Sequence, residues 1–107
     1  MTKYLVSAKY TPDAAAKVRE AGFASREKAV TALFASPGGT LEALYFTTGD
    51  WSIHGVVELP TEAVAFAVDS FAWATGTMER GTLQPLFSAT EADAAIAAKV
   101  DYTPPGS

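Results

Sequence analysis

No cysteine occurs anywhere in the chain, and histidine occurs once. The first absence excludes disulfides, thiolate metal sites and thiol nucleophiles. Together the two leave a metal ion only hard carboxylate ligands, and no calcium-loop pattern is present, so no metal is expected. Basic residues are also few, eight against twelve acidic, giving a formal net charge of -4. Binding a phosphate backbone takes clustered Lys and Arg, so no nucleic-acid partner is expected. Long hydrophobic runs are missing: Ala63-Val64-Ala65-Phe66-Ala67-Val68 falls far short of the roughly 20 residues that span a bilayer. Met1-Thr2-Lys3 leads into a strand-like run rather than a secretory leader, and the expectation is a soluble, cytoplasmic chain without a membrane partner. There is no Gly-x-Ser-x-Gly elbow, and Gly38-Gly39 precedes a strand pattern rather than a helix. Neither a hydrolase triad nor a phosphate-binding loop is supported, and no cofactor is expected.

What the chain does contain is apolar. Hydrophobic residues make up 49% of its 107 residues and charged ones 19%, against a typical charged share of about 25%. Two domains of half this length would each be too small to bury a core, so residues 1–107 are expected to form one domain. A surface so lean in charge points to area covered by a partner.

Hydrophobic patterning predicts strand, helix, strand, strand, helix, strand, helix. Lys3 to Tyr10 reads as a strand that stops at Thr11-Pro12-Asp13, where Thr11 can cap a helix, Pro12 fits its first turn and Asp13 suits the positive end of its dipole. Gly22 breaks that helix, and Ser25 can cap a second piece that ends at Ser36-Pro37-Gly38-Gly39. Thr40–Thr47 and Trp51–Leu59 read as strands around the turn Thr48-Gly49-Asp50. Pro60-Thr61-Glu62 starts a helix to about Ala74, and Thr77–Phe87 is the fourth strand. Ser88-Ala89-Thr90-Glu91 is a capping box opening a helix to about Lys99, followed by an extended tail over 101–107.

This order is the split βαβ arrangement of an α+β, ferredoxin-like fold: a four-stranded antiparallel sheet with helices on one face. The first and third strands lie centrally, and Pro85 suits an edge because proline cannot donate to a ladder. In the third strand Trp51, Ile53, Gly55, Val57 and Leu59 are assigned to the helix side. Ser52, His54, Val56 and Glu58 take the other side, where Leu5, Leu44 and Phe46 are expected to join them. An apolar patch on that face marks an interface, and stacking two sheets would bury roughly 800 Å² per partner. The expected partner is therefore a second copy. In the helix around residue 68, Val64, Phe66, Val68, Phe71 and Trp73 spread beyond one stripe. Phe66 and Trp73 are left to meet either the partner or the C-terminal tail.

At Thr48-Gly49-Asp50-Trp51-Ser52 the sequence resembles the GYD domain family. Lys3-Tyr4-Leu5-Val6, Tyr10-Thr11, Gly38-Gly39-Thr40-Leu41-Glu42-Ala43-Leu44-Tyr45-Phe46 and Val56-Val57-Glu58-Leu59-Pro60 agree in order and spacing. The terminal Tyr102-Thr103-Pro104-Pro105-Gly106 is similar to one bacterial branch. The resemblance implies a ferredoxin-like domain in a dimeric α+β barrel and brings no catalytic residues with it. Trp51 and Ser52 stand where the family has the Tyr and Asp that name it, and His54 stands where an aromatic or aliphatic residue is usual.

His54 is the one natural proton shuttle near neutral pH, and a mid-strand position aims it into the space between two sheets. A lone histidine on a mixed face is more often a satisfied interface residue. Arg26, near a helix start, and Arg80 can hold an anion, although arginines on a small domain are mostly ordinary surface charge. Two functions follow. The first is a homo-oligomeric domain holding a small molecule between its sheets, with Ser52, Glu58, Arg26, Tyr45 and Trp51 as candidate contacts. The second is a cofactor-independent enzyme, of the small oxygenase or isomerase type, with His54 as general base.

Overall fold

A computed structural model describes residues 1–106. Along the chain lie β1 (Thr2–Tyr10), α1 (Pro12–Ala21), α2 (Phe23–Ala35), β2 (Thr40–Phe46), β3 (Ile53–Leu59), α3 (Glu62–Ala74), β4 (Met78–Leu86) and α4 (Ala89–Ala95). The strands form one antiparallel sheet in the order β2-β3-β1-β4. This is the α+β, ferredoxin-like topology expected from the patterning, with Pro85 on edge strand β4 opposite Tyr4.

Local chemistry sets the helix ends. The Thr11 hydroxyl accepts the Ala14 N–H at 3.2 Å, and the Thr61 hydroxyl accepts that of Val64 at 3.1 Å. Gly22, at φ 103°, ends α1 and leads directly into α2. Ser25 therefore lies inside α2 and does not cap it, because the break is one residue long rather than three.

The core is one layer between α1–α3 and a single sheet face. Tyr4, Ala8 and Tyr10 of β1, Ile53, Val57 and Leu59 of β3, Val30 and Phe34 of α2, and Ala65 and Val68 of α3 are buried in it. In β3, burial alternates strictly, as a sheet with one covered face requires.

Strand β2 departs from the expected alternation. Leu41 pairs with Val57 while Ala43 pairs with Val56, so the register shifts at Glu42. One extra residue exchanges the two faces of everything beyond it. Leu44 and Phe46, expected on the open face, instead pack against the core, and Ala43 and Tyr45 point outward. A second correction concerns Trp51. It precedes β3 rather than starting it, and its ring lies beside His54 of the outer face rather than on the helix side.

The outer face consequently carries Leu5, Val56, Leu86, Ala43 and Tyr45, bordered by an ion pair of Lys3 with Glu42 at 3.0 Å. Tyr45 is 73% exposed. On α3, Phe66 is exposed and lines a groove with Phe87, while the Trp73 ring lies close to Gly81 of β4.

Every residue from 87 to 106 is exposed, including the large apolar Phe87, Ile96, Val100 and Tyr102. The Cα radius of gyration is 16.7 Å, against about 13 Å for a compact chain of this length. The C-terminal segment is an arm standing off the body. Helix α4 ends at Ala95 rather than near Lys99 and buries nothing. So short a helix gains little on its own, and its capping box is its main local support. The Ser88 N–H donates to the Glu91 carboxylate at 2.9 Å, and the Glu91 N–H donates to the Ser88 hydroxyl at 3.1 Å. Hydrogen bonds from the Ser88 backbone, then from its side chain, hold the Glu91 carboxyl below the ordinary carboxylate range. Because that value is depressed on folding, the support is present above the ordinary carboxylate pKa and is lost as pH falls through the lowered one. Ser88→Ala is expected to remove amide protection over residues 89–95 at neutral pH, leaving the core amides protected, as read by hydrogen exchange.

Candidate functional site

Two places gather chemistry, one on each face of the sheet. On the inner face the small residues Ala8 of β1 and Gly81 of β4 sit opposite each other in register. With Val6 and Leu83 beside them, the floor between α2 and α3 is low. Val30, Leu33 and Phe34 of α2 and Val68 and Ala72 of α3 cross above it, leaving an apolar cavity of about 80 Å³.

Its charged lining consists of Arg26 and Asp69, both half-buried. Arg26 lies in the first turn of α2. Its Nε donates to the Tyr10 hydroxyl at 3.0 Å, and its guanidinium carbon sits 5.3 Å from the Tyr10 ring centroid. The hydrogen bond and the cation–π contact fix the head group in place. Tyr10, Arg26 and Thr77 also wall an adjoining cleft of about 280 Å³.

On the outer face His54 pairs in register with Ser7 and Tyr45. The Ser7 hydroxyl lies 2.8 Å from His54 Nδ1, and the Trp51 and His54 ring centroids are 6.0 Å apart. The Arg80 guanidinium lies 5.1 Å from the Trp51 centroid, and Arg80 also donates to the Asp50 carbonyl. Lys9 donates to the Gly49 carbonyl at 2.6 Å. Ser52 bonds twice to β1: its N–H donates to the Ala8 carbonyl at 2.9 Å, and its hydroxyl accepts the Tyr10 N–H at 3.1 Å. The Thr48-Gly49-Asp50 turn is thereby fastened over one end of the sheet, and Ser52 is one of its fasteners.

Of the candidates read from the sequence, His54, Ser52, Tyr45 and Trp51 come together at this end of the outer face. Glu58 is on the same face but opposite Lys3 and Thr40, toward the far end of β3. Arg26 is on the helix side, at the cavity. Sequence reasoning missed Asp69 and the Ala8–Gly81 pair. Alanine and glycine mark a gap only once the register sets them opposite each other, and nothing local in the sequence carries that register.

Among the described residues no three His, Cys, Asp or Glu side chains are placed to hold a metal ion, and no helix is long and apolar enough to cross a membrane. The model of the GYD domain family matches residues 4–96. No curated protein and no solved structure matches the chain.

Proposed function

The chain belongs to the GYD domain family, and from that premise we propose that it is a homo-oligomeric domain holding a small apolar molecule between its sheet and helices. The observation that carries this is the cavity over Ala8 and Gly81, walled almost wholly by apolar side chains. An apolar cavity stays dry, and one of about 150 Å³ accepts benzene or xenon. At about half that size, this one takes a short branched aliphatic group, or part of a small aromatic ring whose remainder lies in the adjoining cleft of about 280 Å³ that shares Tyr10, Arg26 and Thr77 with it.

This proposal puts the ligand between sheet and helices, where the sequence led to one between two sheets. His54 lies across the sheet from it, so a base at His54 would serve only a molecule held on the outer face. The cavity needs no base. It sorts the apolar part of its ligand by size and shape.

Val6→Phe tests the proposal by filling the space with the protein's own ring. Small molecules released from the purified protein by denaturation and identified by mass spectrometry are expected to include one apolar compound in the native chain and none in the variant. Equal recovery from both proteins would remove the cavity as the site.

A second copy completes the domain. The outer face exposes Tyr45 beside the half-buried Leu5, Val56 and Leu86, while every residue of the arm over residues 87–106 is exposed, Phe87, Ile96, Val100 and Tyr102 among them. Covering these surfaces with an identical subunit buries both at once. The Lys9 and Arg80 side chains on that face bond only to backbone carbonyls. They match the acidic arm, which carries Glu91, Asp93 and Asp101 against Lys99.

A further inference from the structure

We infer that the molecule held in the cavity carries a carboxylate, and that Arg26 reads it. The inference rests on the cavity being a binding site and adds the chemical class of its ligand. Arg26 is a half-buried cation with no carboxylate within ion-pair distance among the described residues. Its Nε is committed to the Tyr10 hydroxyl, and its guanidinium carbon lies 5.3 Å from the Tyr10 ring centroid. That leaves the two terminal nitrogens as a fork for a planar two-oxygen anion. Lys17, the other cation in the adjoining cleft, is already paired with Asp13 at 3.1 Å.

The geometry divides a ligand into two parts. Its apolar part lies over Ala8 and Gly81, and its head reaches the wall of Tyr10, Arg26 and Thr77 shared by cavity and cleft. Asp69 lines the same cavity but forms no ion pair with Arg26, and it is absent from the wall of Tyr10, Arg26 and Thr77 that the cavity shares with the cleft. A small aromatic or branched-chain carboxylic acid satisfies both ends. A neutral hydrocarbon satisfies one, and an amine places a cation against Arg26.

The test is an NMR titration of the purified protein with toluene, benzoate and benzylamine in turn, following amides of β1 and α2. Benzoate is expected to bind about tenfold or more tighter than toluene, as a desolvated charged pair implies, and benzylamine more weakly than toluene. In Arg26→Gln, which keeps a donor for Tyr10, benzoate is expected to fall to the level of toluene while toluene binding stays as it was. If toluene binds and benzoate binds no better, the carboxylate inference is overturned and the cavity stands. Loss of benzoate preference in neither Arg26→Gln nor Arg26→Leu would also overturn it. If none of the three probes binds, the cavity proposal itself fails, and this inference with it.

Discussion

Gly39→Ala is expected to lower the thermal midpoint by roughly 10–20 °C, corresponding to about 2–3 kcal/mol of overpacking in a domain of this size. A Cβ at this position would lie 2.6 Å from Leu59 Cδ2, 2.7 Å from the Phe34 carbonyl oxygen and 2.9 Å from the Glu58 carbonyl oxygen. None of the three can yield easily. Leu59 is wholly buried, and the other two atoms are backbone. The Phe34 oxygen also accepts the Gly39 N–H at 2.9 Å, closing the end of α2. Gly39 is thus where helix, edge strand and core meet without room for one more carbon. Gly22→Ala is the control. It sits at φ 103° and ψ 144° in open space, so it incurs conformational strain of about 1–3 kcal/mol with no clash. Thermal unfolding followed by circular dichroism measures both. An unchanged midpoint for Gly39→Ala would mean that α2 and β2 are not packed as described.

Val56→Asp is expected to convert the proposed homo-oligomer into single chains while leaving the fold unchanged. Val56 lies on the outer face of central strand β3, in register with Leu5 on one side and Ala43 on the other. In a free subunit the new carboxylate meets water and costs little. Between two sheets it is an unpaired charge without solvent, a penalty of about 2–5 kcal/mol and a weakening of roughly 30- to 5000-fold in association. Because a symmetric interface repeats the substitution on each subunit, the effect counts twice. Light scattering at matched concentration is expected to show the native chain at twice or more the mass of one chain and the variant at that of one. A native chain that is single at high concentration would leave the outer face and the arm unpartnered and end the homo-oligomer proposal.

Much of the fold is legible in the sequence because its signals are local. Thr11-Pro12-Asp13 and Ser88-Ala89-Thr90-Glu91 are capping chemistry, and both caps form as the residue types dictate, whereas the cap expected at Ser25 does not. The strand order follows from the element order, and Pro85 fits its edge. The face of β2 is not legible. Residues 41–46 are apolar at both parities, so period-two counting has nothing to choose by, and the bulge at Glu42 that decides it depends on pairing with β3. The same missing register concealed the cavity. Ala8 and Gly81 are more than seventy residues apart in the chain, and neither alone signals a gap. The outer cluster was half legible: His54 announced itself by rarity, whereas Ser7, its hydrogen-bond partner, did not. Arg26 was legible as a cation near a helix start, but not as one anchored on Tyr10 sixteen residues earlier.

The ligand proposal stands on the mainly apolar space between sheet and helices over Ala8 and Gly81. Crystals of the protein pressurised with xenon test it most directly, since xenon enters apolar cavities whatever the natural ligand is. The expected result is one strong xenon site bounded by Ala8, Val30, Val68 and Gly81, absent in Val6→Phe. A crystal structure in which α2 and α3 close onto Gly81, with no xenon between them, would contradict it.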